Sequence, residues 1–397
     1  DGADQGYLYV GSGNDMVGLM LQGMSSMLGS GQLSQVNVHP PEVRRFREDV
    51  SPLTWERVLD YRDIEQEGSF STIGFRYVKA YRARSDGKNY LYAATFGTEA
   101  ALWQTATGEP GSWTKVWSSG EVGSIRYMEE HNGVLYLALA NDAPIGEQLA
   151  KIYATDGAQF WPVVEDGFGN PNNLGMMSLI SWNGWLYAGT SNLAQGYEIW
   201  KLEGPNGGGP TLVVGAGGPS ATNESAITPC VFRDRLYWGA MIYMHTNVLK
   251  GLKAADIIRL DANDQWETVV GPNSISGIGS GFNHWPNTYI WSMCEYGGWL
   301  YAGTFDQGGN LVNLPETLAN MAGGNARVAS AGESAVRAGA DLYKSPDGVT
   351  WYAVTLDGLG NVGNYGFRTM KSQDGYLYLG TANPYDGLEI WRAREGQ

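Results

Sequence analysis

Cysteine, histidine and charge are scarce in this chain of 397 residues. It has two cysteines and four histidines, and charged residues make up 17% of the sequence. No apolar run reaches the roughly 18 residues that a membrane-spanning helix needs, so no such helix is predicted. The sequence contains no phosphate-binding loop, dinucleotide fingerprint, cysteine-based zinc motif or nucleophile elbow, and we therefore expect none of those sites.

An excess of basic residues is also missing. The 41 Asp and Glu residues outnumber the 26 Lys and Arg residues, and the formal net charge is −15. Nucleic acids and anionic membrane surfaces are bound through basic faces. The composition therefore predicts that neither is a partner, and a saccharide or another small molecule, or a protein, is expected instead.

What the sequence does contain is a repeat. A Leu-Tyr pair followed by small residues and a polar turn occurs seven times, mostly about 45 to 65 residues apart, a period typical of a stacked or closed array. The pairs are Leu8-Tyr9, Leu91-Tyr92, Leu135-Tyr136, Leu186-Tyr187, Leu236-Tyr237, Leu300-Tyr301 and Leu377-Tyr378. With 56 glycines and 12% aromatic residues, the array is predicted to be all-β with many tight turns.

Residues 173–214 illustrate one repeat. Asn183-Gly184 is a hairpin turn, because both residues tolerate positive φ. The four predicted strands around it are Met176–Trp182, Trp185–Thr190, Tyr197–Leu202 and Thr211–Val214. Such a four-stranded antiparallel meander buries both faces by packing against its neighbours around a ring. The sequence thus predicts a single seven-bladed β-propeller domain over residues 1–397, with the first blade lacking its inner strand and the last its outer strand.

The N-terminus and the cysteines bear on the compartment. The chain begins at Asp1 rather than Met and already inside a repeat, and we expect a processed, secreted or periplasmic protein. Cys230 and Cys294 each lie six residues before their Leu-Tyr pair, in adjacent repeats. Two buried thiols on inner strands, or a disulfide joining those strands, would both fit this spacing.

A hairpin segment carries a resemblance to a known superfamily. Ser345-Pro346-Asp347-Gly348-Val349-Thr350-Trp351 resembles the Asp-box of BNR-repeat propellers, a group that includes sialidases, and residues 155–161 are a weaker copy. The resemblance implies that the aspartate binds backbone amides of the turn and that the tryptophan packs between blades. It indicates a fold and transfers no activity.

Three loops between second and third strands are much longer than the others and are predicted to form a lid with helical segments on the top face. They span residues 14–41, 241–255 and 306–340. The first carries a helical stripe of Met16, Met20, Met24 and Met27. The stripe either packs on the propeller, forms an adaptable apolar surface in which Met20 and Met24 contact a ligand, or binds copper(I) through thioethers.

Three arginines share a position at the top of predicted inner strands. Arg126 and Arg368 lie nine residues before their Leu-Tyr pairs, and Gly74-Phe75-Arg76 matches Gly366-Phe367-Arg368. Converging guanidinium groups would bind a carboxylate or sulfate, because each presents a fixed fork of donors. Alternatively, each arginine pairs with an acid such as Glu99 or Asp142.

His284 is the histidine that departs most from the repeat. It lies among aromatic residues in the link into the sixth blade, and Asp306 ends the neighbouring strand and could orient it. Trp285 beside it and Trp291 just after the link are expected to contact the substrate. Tyr365 occupies the equivalent link into the seventh blade. A His–Tyr pair beside arginine could perform β-elimination on a uronate. The alternative is a hydrogen-bonded loop histidine.

Other polar positions have weaker implications. Asp15, Glu99, Asp142 and Asp306 end second strands, where a pair of carboxylates could support glycoside hydrolysis or simply accept turn amides. His131 lies in a hairpin turn and is expected to be only solvated. The linker Asp166–Asn173 recurs as Asp357–Asn364 and suits left-handed turns, with calcium binding as an alternative. No metal site and no required cofactor are predicted.

These observations favour a secreted propeller that binds or processes an anionic carbohydrate in a top-face pocket, by β-elimination or hydrolysis if it is an enzyme. Two alternatives remain. One is a non-catalytic binding or assembly module that docks a partner protein through its Met-rich and Leu-rich insertions. The other is an enzyme or carrier for an apolar small molecule held under the lid.

Overall fold

The computed structural model describes residues 6–13, 41–50, 52–60, 72–140, 150–202, 209–243, 246–247, 250–308 and 337–394. These residues form strands and tight turns, which confirms the predicted all-β class. The chain divides into two compact units, residues 1–188 with 202–210 and residues 189–201 with 211–397. Within the described ranges, no helix has the length and apolar character needed to cross a membrane.

The first unit is built from antiparallel meanders in which strands pair in sequence order. Its strands are β1 (Leu8–Gly11), β2 (Glu42–Phe46), β3 (Glu56–Asp60), β4 (Thr72–Arg82), β5 (Asn89–Gly97), β6 (Ala101–Thr105), β7 (Thr114–Ser118), β8 (Gly123–His131), β9 (Val134–Ala140), β10 (Lys151–Thr155), β11 (Phe160–Val164) and β12 (Gly175–Trp182). The paired series are β1 to β3, β4 to β7 and β8 to β11. A 3-10 turn, Gly167–Gly169, precedes β12.

The second unit repeats this pattern. Strands β13 (Trp185–Ser191) and β14 (Ile199–Leu202) contribute residues to both units. The remaining strands are β15 (Thr211–Val214), β16 (Ser225–Phe232), β17 (Arg235–Met241), β18 (Ile257–Leu260), β19 (Trp266–Val270), β20 (Asn287–Tyr296), β21 (Trp299–Asp306), β22 (Leu342–Ser345), β23 (Tyr352–Thr355), β24 (Gly366–Gln373), β25 (Tyr376–Ala382) and β26 (Ile390–Arg394). The paired series are β16 to β19, β20 to β23 and β24 to β26. A 3-10 turn, Ser280–Asn283, precedes β20.

The Leu-Tyr pairs lie on the second strand of each described meander except that of β1 to β3, where Leu8-Tyr9 lies on β1. In β9 and β17 both residues of the pair are almost fully buried, as are Leu91 and Tyr92 on β5. Neighbouring residues of a strand point to opposite faces, so burial of both means that both faces of the strand are covered. The sequence therefore shows an apolar pair there instead of an alternating pattern.

The links into the first strands share one hydrogen-bonded turn. Asn173, Asn223, Asn287 and Asn364 each donate from Nδ2 to the carbonyl oxygen of the glycine six residues earlier. In three links the same amide also donates to a buried or half-buried carboxylate at or before the third strand, that of Asp256, Asp341 or Glu389. The recurring linker predicted from Gly and Asn spacing is thus a structural turn that fixes where each first strand begins.

The first strands also share a β-bulge. Five of them have a residue outside the register with the second strand at the matching place, and these residues are Arg76, Arg126, Ile227, Trp291 and Arg368. Strands β4 and β20 each have a second such residue, Ile73 and Thr288. A bulge bends the strand and re-aims the side chain of the extra residue. The three arginines that the sequence grouped by spacing are therefore bulge residues.

The hairpins that resemble Asp-boxes make the expected backbone contacts. Asp347 Oδ1 accepts hydrogen bonds from the amides of Val349 and Thr350 at 2.8 and 2.6 Å. Asp156 Oδ1 accepts from Ala158 and Gln159 at 2.9 and 2.8 Å. The Trp351 ring packs edge-on against another aromatic ring, that of Phe282, at 5.3 Å.

Histidine 131 is not solvated, and that prediction was wrong. Its side chain is 2% exposed, and Nδ1 lies 2.8 Å from Ser181 Oγ because the β8–β9 hairpin turn packs against β12. Cys230 and Cys294 are both free thiols, the first buried and the second partly buried. The disulfide alternative is therefore not adopted.

Most of the three predicted insertions lies outside the described residues. Of 241–255, residues 241–243, 246–247 and 250–255 are described, and Thr246–Asn247 is helical. Of 306–340, residues 306–308 and 337–340 are described, whereas of 14–41 only Pro41 is. The methionine stripe with Met20 and Met24, and the lid itself, stay predictions.

Candidate functional site

His284 and Asp306 form a hydrogen-bonded pair in the second unit. His284 Nε2 lies 2.9 Å from Asp306 Oδ2, the contact that the sequence suggested. The Asp306 side chain is fully buried and that of His284 is 16% exposed. When Nε2 donates to the carboxylate, the lone pair of the imidazole lies on Nδ1, which makes no hydrogen bond within the described ranges. The exposed edge of the ring can then act as a proton acceptor.

In the other three links, the residue at the position of His284 has an uncharged polar side chain. In all four links the backbone amide of the link asparagine donates to the carbonyl oxygen of the residue three positions earlier, at 2.9 to 3.0 Å. These link asparagines are Asn173, Asn223, Asn287 and Asn364. That residue is Asn170, Ser220, His284 or Asn361. The backbone of the turn accepts any of these side chains. An imidazole at this place is therefore not required by the fold.

Asp306 likewise departs from the repeat. At equivalent places of three repeats, a backbone amide donates to the carbonyl oxygen of the residue that follows a link asparagine. The donors are Asn192, Ile242 and Asp306, and the acceptors are Glu224, Thr288 and Tyr365, respectively. Asn192 Oδ1 caps its own turn by accepting the Gln195 amide at 2.8 Å. Asp306 Oδ1 accepts the Gly308 amide in the same way. Asp306 differs from Asn192 in its second carboxylate oxygen, Oδ2, which contacts His284 Nε2.

Tyr365 is attached to the same aspartate. The Asp306 amide donates to the Tyr365 carbonyl oxygen at 2.8 Å, so one residue anchors both His284 and Tyr365. The Tyr365 ring lies 5.1 Å from the Phe305 ring and 6.1 Å from the Trp291 ring. Tyr289 completes the group by stacking on Phe305 at 4.3 Å. An aromatic cluster therefore adjoins the His–Asp pair.

The Trp291 indole packs closely on Gly366 and stacks with the Arg368 guanidinium group. A Cβ atom on Gly366 would lie 2.2 Å from Trp291 Cζ3, so only glycine leaves room for the ring there. The Arg368 guanidinium carbon lies 4.9 Å from the centroid of the Trp291 ring. Stacking on an indole holds a guanidinium group by a cation–π interaction.

A second buried carboxylate stands near the histidine. Asp341 Oδ2 accepts hydrogen bonds from Asn287 Nδ2, Arg337 and Tyr343 at 2.8, 2.8 and 3.1 Å. Burial raises the pKa of Asp341, while these partners and the charge of His284 act in the opposite direction. Asp341 is thus electrostatically connected to the His284–Asp306 pair, although its Oδ2 also holds Asn287 of the link turn.

The other predicted site residues are spread over the chain. Arg76 and Arg126 belong to the first unit and Arg368 to the second. Trp285 is half-buried beside His284. Glu99 bonds Lys115 at 2.7 Å, whereas Asp15 and Asp142 lie outside the described residues. The described residues contain no group of three or more metal-ligating side chains, and calcium binding stays a prediction.

Sequence reasoning missed Phe305 and Gly366. Phe305 directly precedes Asp306 at the end of a second strand, where an aromatic residue follows Thr304 as Phe96 follows Thr95. That repeated Thr-Phe pair was a readable signal. The role of Gly366 depends on a contact with Trp291, 75 residues earlier, and the local sequence gives no sign of it.

No protein-family model matches this chain, and no curated protein sequence matches it. One solved structure to which it is similar comes from a study of two prolyl endopeptidases. The match has 12% sequence identity and a TM-score of 0.47, and it covers 90% of this chain and 47% of the other. The chain thus spans about half the length of that protein, and a likeness of this degree assigns no activity.

Proposed function

We propose that the protein binds an anionic carbohydrate at the site formed by His284, Asp306, Tyr365, Trp291 and Arg368. The observation that carries the proposal is the His284–Asp306 pair, in which an imidazole and a carboxylate lie 2.9 Å apart. The compared repeat positions hold neutral residues, namely Asn170, Ser220 and Asn361 for His284, and Asn192 and Ile242 for Asp306. Arg368 supplies a cation for the carboxylate of a uronate, and the aromatic cluster supplies apolar surface for a sugar ring.

The arrangement supports β-elimination as the reaction, if the protein is an enzyme. Arg368 would neutralise the uronate carboxylate, which acidifies the proton on C5. His284 Nδ1 would accept that proton while the C4–O bond breaks and a C4–C5 double bond forms. The Tyr365 hydroxyl would protonate the departing glycosidic oxygen. Asp306 would hold the imidazole in orientation and stabilise the imidazolium as it forms.

We also propose that the meanders are the blades of a seven-bladed propeller related to the BNR-repeat group. The seven Leu-Tyr pairs, the shared link turn and the two hairpins capped by Asp347 and Asp156 support this arrangement. Secretion or a periplasmic location is part of the same proposal. Small-angle scattering would test the ring, because an open array of the same strands has a larger radius of gyration.

Binding is tested first. Isothermal titration with oligogalacturonate and oligoglucuronate, each beside its neutral hexose counterpart, should show affinity for the uronates alone. Arg368→Gln should weaken it at least about tenfold, since a charge-assisted hydrogen bond is lost. Arg394→Gln removes the same charge from exposed strand β26 and should leave it unchanged. Equal affinity for neutral oligosaccharides would contradict the proposal.

Catalysis is tested separately, by following the ultraviolet absorbance of an unsaturated uronate and the appearance of new reducing ends. An increase in both indicates elimination, and reducing ends without absorbance indicate hydrolysis. His284→Gln should abolish the elimination signal while largely preserving uronate affinity. Uronate binding with neither signal would limit the function to binding.

A further inference from the structure

Six third strands of the fold each pair antiparallel with a fourth strand. These pairs are β2 with β3, β6 with β7, β10 with β11, β14 with β15, β18 with β19, and β22 with β23. The last third strand, β26, pairs with β25, and no ladder to its other edge lies within the described ranges. An open strand edge presents backbone N–H and C=O groups that can bind a further strand.

The six pairings share a β-bulge on the fourth strand. In each of them one fourth-strand residue stands outside the register, and it is always a valine: Val58, Val116, Val163, Val213, Val269 or Val354. Five of these valines have an aromatic residue three positions earlier, namely Trp55, Trp113, Phe160, Trp266 and Trp351. A fourth strand of this fold is thus marked by an aromatic residue, two variable residues and a bulged valine.

The third-strand residue beside each bulge is buried. These residues are at most 5% exposed, and they are Val43, Leu102, Ile152, Ile199, Ile257 and Leu342. Ile390 holds the corresponding place in β26, opposite Gly380, but it is only half-buried. The residues of β26 that follow it are all exposed, and Trp391 is 43% exposed. Strand β26 therefore has the aliphatic residue of a third strand without the cover that a fourth strand gives.

The backbone of β26 is oriented to accept such a strand. The Glu389 carbonyl oxygen accepts a hydrogen bond from the Thr381 amide at 3.0 Å and so points towards the second strand of the meander. In an antiparallel ladder, alternate residues direct their backbone groups to opposite edges. The backbone groups of Ile390 and Arg394 are therefore directed to the open edge.

We propose that the open edge of β26 binds an extended segment of another polypeptide, which adds a fourth strand to the meander by β-augmentation. The segment carries the pattern of the six fourth strands, an aromatic residue three positions before a valine. Its valine packs on Ile390 at the bulge. Its aromatic residue lies over Ala393, the place that corresponds to Leu260 beside Trp266. Backbone hydrogen bonds supply affinity, and these two side chains supply the choice of partner.

The sequence favours a segment from a different protein as the occupant. Beyond the fourth strands, an aromatic residue precedes a valine by three positions only at Tyr7–Val10 and Phe75–Val78. These residues belong to the segments of β1 and β4, which already pair with β2 and β5. The β26 strand of a second copy contains no valine. The proposed surface does not include His284 and does not depend on uronate binding.

The test uses the full chain and a fluorescently labelled peptide with the β19 sequence Gln265–Gly271. Fluorescence polarisation should show saturable binding. The same peptide with Val269→Asp should bind at least about tenfold more weakly, because the burial of the valine is lost. The peptide methylated on its backbone nitrogens should not bind, because it cannot form the ladder.

Variants of the chain locate the site. Ile390→Lys places a charge where the valine would pack, and it should weaken binding of the unmodified peptide at least about tenfold. Ile275→Lys makes the same change at an exposed isoleucine outside β26 and should keep the affinity. Hydrogen exchange on the unmodified chain gives a readout that needs no variant. The peptide should slow exchange of the β26 amides and leave the other third strands unchanged.

Four results would overturn the proposal. They are the absence of saturable binding, equal affinity for the Val269→Asp peptide, an equal loss in Ile275→Lys and Ile390→Lys, and a peptide that leaves exchange in β26 unchanged. Light scattering tests the second copy as occupant. The chain should have the mass of a monomer, and a dimer that Ile390→Lys dissociates would assign the edge to a second copy and contradict the proposal.

Discussion

Asp306 accepts a hydrogen bond at one oxygen from the Gly308 amide and at the other lies 2.9 Å from His284 Nε2. The first contact belongs to the fold, since Asn192 and Asn383 cap their own turns with one side-chain oxygen. The second belongs to His284 alone. The fold and the proposed function therefore depend on different atoms of the same side chain.

This division predicts the behaviour of Asp306→Asn. The variant should fold with a nearly unchanged thermal midpoint, because an asparagine oxygen can cap the turn. It should lose at least about tenfold in uronate turnover or, if the protein only binds, in uronate affinity, because the imidazole is no longer held by a carboxylate. Circular dichroism and the uronate assays measure the two effects. Full activity in a folded variant would exclude Asp306 from the site.

Gly366→Ala is a second test, which changes the packing around the Trp291 ring. The added Cβ would lie 2.2 Å from Trp291 Cζ3, so the indole and the Arg368 stacked on it must move. Overpacking of this kind costs about 1 to 3 kcal/mol. We expect a lower thermal midpoint, altered tryptophan fluorescence and weaker uronate binding.

Gly209→Ala is the matched control for that variant. Its Cβ would meet nothing within 4 Å, so stability and binding should stay at the parent level. If Gly366→Ala behaves like Gly209→Ala, the Trp291 ring is not confined by residue 366, and the cluster has more freedom than the contact indicates.

Asp256 should make stability depend on pH in the acid range. Burial raises its pKa from 3.8 to about 6, although Ser280 and Asn223 bond the carboxylate and oppose the rise. The folded state therefore holds this proton more tightly than the unfolded chain. The resulting stabilisation is present below pH 3.8 and is lost as pH rises through about 6. The difference between these pKa values corresponds to about 3 kcal/mol at most.

Asp256→Asn removes this titration. Urea unfolding of parent and variant from about pH 4 to pH 7 should show a difference in unfolding free energy that shifts towards the variant as pH rises. The difference cancels the titration of all other groups. A difference that stays constant over this range would mean that Asp256 is ionised in the folded protein throughout.

The repeat made much of this fold predictable. Five of the seven Leu-Tyr pairs lie on second strands with both residues buried, and an apolar pair that is buried on both faces of a strand is a distinctive sequence signal. The Gly and Asn linkers were recognised as turns, since positive φ limits the residues that fit. Local geometry of this kind is encoded within a few residues.

Contacts between residues that are far apart in the sequence were harder to predict. The His284–Asp306 contact could be anticipated because both residues depart from the repeat at positions that neighbouring strands bring together. From the sequence, Arg76, Arg126 and Arg368 showed only a common spacing. Their bulges could not be predicted, because a bulge depends on the register between two paired strands. His131 was misjudged because its burial depends on Ser181, which lies 50 residues away.

His131 itself provides a further prediction. Burial lowers its pKa from the ordinary value of 6.5, with a smaller opposing effect from the charge of Glu129. The folded protein thus keeps the imidazole neutral where the unfolded chain would already bind a proton. Stability that is fully present above pH 6.5 should be lost as pH falls below that value.

His131→Gln cannot titrate, and glutamine can still hydrogen-bond Ser181. Between about pH 8 and pH 5, urea unfolding should therefore show the parent losing stability relative to the variant. This slope is opposite in sign to that of Asp256, so the two groups can be distinguished in one series of measurements. A parent that gains on the variant towards acid pH would mean that the protonated imidazole is stabilised in the fold, and the burial of His131 among neutral partners would have to be abandoned.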